Sequence, residues 1–96
     1  MSIAGSGEHL PFYVYILQCE DRSFYTGYCK NLKSRVNSHI KGKGARYTRI
    51  HRAKKLVYSE EFATRIEAMR RERRIKRLSH DQKARLARLP LRQKHR

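Results

Sequence analysis

The chain has 96 residues, 39% of them hydrophobic, which suits one modest core and excludes two domains or a deep enclosed cavity. Its 24 Lys and Arg stand against 8 Asp and Glu, a formal net charge of +16. A charge that large repels itself in the compact state and is relieved by a polyanion, so nucleic acid is the expected partner. An acidic membrane surface is the rival, disfavoured because no helix sets a strongly apolar face against a basic one. No run is long enough to span a bilayer.

Along the chain, "MSIAGSGEHLPF" lacks the basic start and apolar run of a secretion signal, and 1–11 reads as a flexible lead-in. The aromatic and β-branched run "FYVYILQC" predicts a strand over 12–19. After the polar turn "EDRS", "SFYTGYC" predicts a second strand over 23–29, and the two form a hairpin. Asn31 is a suitable N-cap for a helix over 32–41, with Leu32, Val36 and Ile40 as its buried stripe and Gly42 and Gly44 ending it. Positions 42–55 read as a basic loop, and "KLVYSEEF" (55–62) as a third strand.

Thr64 with Glu67 makes a capping box that opens a second helix over 65–77. Ser79 with Gln82 repeats the device for a third, which Pro90 ends or kinks, leaving a basic tail over 91–96. The order β-β-α-β-α-α over 12–90 predicts one α+β domain: a small three-stranded, mainly antiparallel sheet flanked by helices. Cys19 and Cys29 are too few for a disulfide framework or a zinc site, and fit buried thiols in a reducing cytosol.

Three groups of residues carry potential chemistry. On the first helix, at about 100° per residue, His39 falls beside Leu32 and Arg35 slightly further round, while Lys33, Asn37 and Lys41 point away. A snorkelling arginine and a half-buried histidine explain that pair as well as an active site does. On the second helix Glu72 lies between Ala68 and Ile75 on the less polar face. A carboxylate there needs a cation: either a neighbouring Arg or a divalent metal, since one carboxylate plus phosphates is a normal Mg²⁺ set.

Tyr15 and Tyr25 share a sheet face if facing residue numbers in the hairpin add to an even total. Two phenols, an Arg and a His then converge, and Gly27 offers clearance for backbone or phosphate. The basic loop supplies Lys41, Lys43, Arg46, Arg49 and Arg52 as phosphate contacts, with Tyr47 as a stacking ring.

These residues, in this order, resemble the GIY-YIG nuclease family, most of all its small stand-alone bacterial YhbQ-like members. Tyr13-Val14-Tyr15 looks like the first motif and Tyr25-Thr26-Gly27 like the second. Arg35 and His39 match the Arg and the His-or-Tyr of the family's first helix, and Glu72, followed by Ile75-Lys76, matches its metal-binding Glu. The likeness covers about 12 to 78. It departs from the family where Tyr13 replaces the first glycine, and where Tyr28 holds the place of a lysine found in the excision-repair member.

The resemblance implies a metal-dependent DNA endonuclease using one Mg²⁺ or Mn²⁺ held by Glu72, acting in the cytoplasm on nucleoid DNA, in repair or processing. Water would be deprotonated by Tyr25, Tyr15 or His39, with Arg35 balancing charge in the transition state, to leave 5′-phosphate and 3′-hydroxyl ends. A tyrosine base is expected to be helped by an Arg and a metal ion that lower its pKa. The sequence leaves open a non-catalytic nucleic-acid-binding module, a homodimer, and a subunit active only with a partner protein.

Overall fold

The computed structural model describes residues 11–89, so positions 1–10 of the lead-in over 1–11, Pro90 and the basic tail lie outside the described residues. Strand β1 spans Phe12–Cys19 and β2 spans Phe24–Cys29. Helix α1 is Leu32–Ile40, α2 is Arg46–His51, β3 is Ala53–Phe62, α3 is Arg65–Lys76 and α4 is His80–Ala87. The sheet order is β2-β1-β3 with both pairings antiparallel, so the sequence reading of an α+β fold around three antiparallel strands holds.

The central strand decides the layering. Alternate residues of β1 are buried on opposite faces, consistent with its continuous burial from Val14 to Leu17. On one face Val14 and Ile16 pack with Tyr58 and with Ala68 and Ile75 of α3. On the other, Tyr15 and Leu17 pack with Ala53, Tyr25, Leu56 and the α1 residues Leu32 and Val36. Helices therefore cover both faces, which lets a short chain bury the centre of its middle strand, Val14 to Leu17.

Local chemistry holds the helices in place. The Asn31 side chain accepts from the Ser34 amide at 3.0 Å and starts α1. Both capping boxes form, at Thr64 with Glu67 and at Ser79 with Gln82. Glu60 ties α3 to β3: Arg71 Nε and the Tyr58 hydroxyl each donate to Glu60 Oε1 at 2.9 Å.

Two features differ from the sequence reading. The basic stretch is not all loop, because 46–51 forms α2 and β3 starts at Ala53. The buried stripe of α1 is also displaced. Ile40 is 46% exposed, while His39 is fully buried beside half-buried Leu32 and Val36. A spacing of 4 overshoots one helical turn by about 40° each time, so the i, i+4, i+7 set stays closer to the core than i, i+4, i+8. Burying His39 is tolerable because both ring nitrogens find partners.

One buried group is not satisfied. The Thr26 hydroxyl on β2 has no hydrogen-bond partner among the described residues, although the residue is only 3% exposed. Thr26→Val keeps the β-branched shape and removes the stranded hydroxyl. It is expected to raise stability by about 1 kcal/mol, read as a higher urea midpoint at unchanged m-value.

Candidate active site

The hairpin register builds the site. Tyr15 faces Gly27 and Leu17 faces Tyr25, so the two phenols lie on one face, as the even-sum condition requires. Their ring centroids are 6.3 Å apart, and the His39 ring is 5.8 Å from Tyr15 and 5.0 Å from Tyr25. Gly27 is needed for this approach: a Cβ there would lie 2.5 Å from the Tyr15 hydroxyl oxygen. The glycine position in the motif thus makes room for a phenol.

The Tyr15 hydroxyl and His39 Nε2 share a hydrogen bond of 2.9 Å, with both side chains buried. Burial pushes the Tyr15 phenol well above its ordinary value, and the nearby Arg35 guanidinium opposes this without cancelling it. Arg35 thus acts on Tyr15 in the expected direction, and desolvation outweighs it. His39 is pulled below 6.5, first by burial and then by the charge of Arg35. The pair at neutral pH is a neutral phenol against a neutral imidazole. The same burial pushes the Cys29 thiol up to about 11, against Arg35, which makes it an unreactive neighbour.

Beyond His39 lies a second layer that the sequence did not disclose. Its Nδ1 meets the Thr48 hydroxyl at 2.7 Å, and Thr48, on α2, is 1% exposed. Thr48 Oγ1 donates to the Ala45 carbonyl at 2.9 Å. The backbone of Gly44 lies against the ring, where a Cβ would come within 2.2 Å of Nδ1. No spacing rule links a threonine nine residues on, in a basic stretch, to that histidine; the link exists because α2 folds back on α1.

The aromatic set continues outward. Tyr47 lies 5.9 Å from Tyr25 and stacks on His51 at 4.0 Å between centroids. His51 Nδ1 pairs with Asp21 Oδ2 at 2.5 Å, and Ser23 donates twice to the other oxygen of Asp21. Those bonds, led by Ser23, hold the exposed Asp21 carboxyl well below the usual carboxylate range. Tyr47, Arg46, Arg49, Arg52, Lys41 and Lys43 are all exposed, as contacts to nucleic acid require. Lys33, assigned only to solvent by the sequence reading, joins Lys41 and Lys43 around an open polar groove with Ser34 and Ser38.

Glu72 comes from a different element. It projects from α3, the helix that packs on the opposite sheet face through Ala68 and Ile75. Its side chain is 17% exposed, and its ion-pair partner among the described residues is Lys76, at 3.4 Å. The structure thus gathers Tyr15, Tyr25, Arg35 and His39, and gives Glu72, a mostly buried carboxylate, one lysine at ion-pair distance. Among the described residues, no group of three or more His, Cys, Asp or Glu is arranged to hold a metal ion by itself. No helix there is long and apolar enough to cross a membrane.

The chain as a whole is similar to known proteins. A UPF0213 protein of Staphylococcus haemolyticus is 50% identical over 74 residues, covering 77% of this chain and 90% of that protein. A UPF0213 protein of Staphylococcus saprophyticus is 47% identical over the same length and coverage. The solution structure of a UPF0213 protein from Bacillus halodurans superposes with a TM-score of 0.54 at 43% identity, covering 85% of this chain and 87% of that one. A solution structure from E. faecalis gives 0.54 at 39% identity, covering 78% and 80%. Residues 11–85, from the first strand into the last helix, match the GIY-YIG catalytic domain, and the chain belongs to the GIY-YIG family.

Proposed function

We propose that the chain is a divalent-metal-dependent DNA endonuclease that hydrolyses phosphodiester bonds, leaving 5′-phosphate and 3′-hydroxyl ends, in DNA repair or processing. The observation that carries the reading is the buried Tyr15–His39 hydrogen bond with Arg35 beside it. Tyr15 takes a proton from the attacking water as its own hydroxyl proton passes to His39 Nε2, so no free phenolate is needed. The neutral His39 can accept that proton, and Arg35 balances the negative charge that grows on the phosphorane oxygens. Tyr25 lines the same face and completes the wall of the site.

Glu72 fits one Mg²⁺ or Mn²⁺, because a mostly buried carboxylate paired with one half-exposed lysine among the described residues suits an ion whose other ligands are water and phosphate. When bound, the ion would supply charge stabilisation for the leaving 3′ oxygen. The basic surface around Tyr47 joins the site through the Tyr25–Tyr47 contact, which supports one continuous path for a DNA strand.

Purified wild type is expected to nick branched, single-stranded or plasmid DNA with Mg²⁺. Glu72→Ala and Arg35→Ala should still bind in a gel-shift assay but lose cleavage by about 10²-fold or more. Equal residual cleavage in wild type and Glu72→Ala would point to a contaminant and sink the claim. Cleavage that appears only with a partner protein added would make the chain a nuclease subunit.

A further inference from the structure

We propose that Thr48 is a positioning residue that holds His39 in the Nδ1–H tautomer, leaving Nε2 bare to take the proton of Tyr15. The inference rests on the nuclease reading for its functional value, but its structural content stands on hydrogen bonds alone. A threonine hydroxyl has one proton to donate. In Thr48 that proton goes to the Ala45 carbonyl at 2.9 Å. The 2.7 Å contact between Thr48 Oγ1 and His39 Nδ1 then requires the ring nitrogen to be the donor.

With the hydrogen on Nδ1, a neutral imidazole has its lone pair at Nε2, where the Tyr15 hydroxyl sits at 2.9 Å as donor. The protons run in one direction: Tyr15 to His39 to Thr48 to the Ala45 carbonyl. The opposite tautomer would turn the Thr48 proton away from the Ala45 carbonyl, which also accepts from the Arg49 amide at 3.1 Å, and leave two oxygens 2.9 Å apart with no proton between them. Its other support, the Ala45 amide, reaches Nδ1 only at 3.4 Å, beyond the usual range. Gly44 keeps the loop backbone close enough for this contact to form, since a side chain there would occupy the ring's place. Nothing in the spacing of the sequence motifs includes Thr48, so the residue is an addition to the site rather than a restatement of it.

Nitrogen-15 NMR of the His39 ring in the full chain tests this directly. Wild type and Thr48→Ser should both show a protonated Nδ1 and a bare Nε2. Thr48→Val removes the acceptor, so the ring should move to the Nε2–H form or a mixture. Cleavage should fall about 10–100-fold in Thr48→Val and recover in Thr48→Ser, the range seen when a histidine loses its orienting partner. A wild-type ring protonated at Nε2, or an unchanged tautomer in Thr48→Val, overturns the proposal. If Thr48→Val does not fold, the wild-type and Thr48→Ser spectra decide it. Tautomers as expected with no cleavage by any variant would uphold the positioning role and reject the nuclease reading.

Discussion

Tyr15→Phe is expected to lower DNA cleavage by about 10²–10⁴-fold while the chain stays folded. The ring occupies a slot that is 1% exposed and packs with Leu17 and Ala53, and phenylalanine fills the same volume. Only the hydroxyl is lost, and with it the group that relays a proton to His39. Leaving Nε2 without its partner costs about 1–3 kcal/mol, a modest fall in thermal midpoint that does not unfold the protein. A gel-shift assay should show DNA binding unchanged, because the hydroxyl is not a surface contact.

The pH profile identifies the next carrier in the relay. His39 sits below 6.5 in the folded chain, so it is neutral and able to accept at pH 7. Cleavage should hold down to about 6.5 and fall as the pH drops through the lowered value. Stability follows the same sign, since the unfolded chain takes up its proton first and the folded state loses ground as the pH falls below 6.5. His39→Gln should remove this limb; a mutant that keeps it would assign the limb to another group.

Gly44→Ala is expected to disable the same relay from the backbone side. Its Cβ would meet His39 Nδ1 at 2.2 Å and the ring carbons at 2.7 and 2.8 Å, and the ring cannot retreat because both nitrogens are held. Overpacking of this kind costs about 1–3 kcal/mol and displaces the imidazole from Tyr15. Gly42→Ala provides the contrast. Gly42 has nothing within 4 Å of a Cβ but a φ of +80°, so its substitution strains only the backbone and should leave cleavage near wild type. Chemical denaturation and nicking rates on the two variants separate these effects, and wild-type cleavage by Gly44→Ala would show that His39 has room to move.

The elements with strong local signals were legible from residues alone. Strand β1 runs over the range its apolar run predicts, and both capping boxes begin helices where the Thr-Glu and Ser-Gln spacing places them. The convergence of Tyr15, Tyr25, Arg35 and His39 followed from the register and from one helical turn. What stayed hidden depends on tertiary folding. Ile40 matches an apolar stripe by type, yet a polar residue took the buried place because partners from β1 and α2 satisfied it. Helix α2 has an Ala45 N-cap with no side-chain cap bond, so nothing in "ARYTRIH" announces its start. Thr48 and Gly44 became visible only once that helix was folded against α1.

The six-residue helix α2, which carries Arg46, Tyr47 and Arg49, is fastened at its middle and at its far end. Thr48 holds it to His39, and at the far end Asp21 grips His51 while the Glu20 amide donates to the Arg52 carbonyl at 2.9 Å. Ordering a backbone costs about 1–2 kcal/mol per residue. Here that cost is met when the protein folds and not when a strand arrives. A grip set in advance spends little of its binding energy on organising itself, so more of the charge attraction is left to hold the phosphodiester.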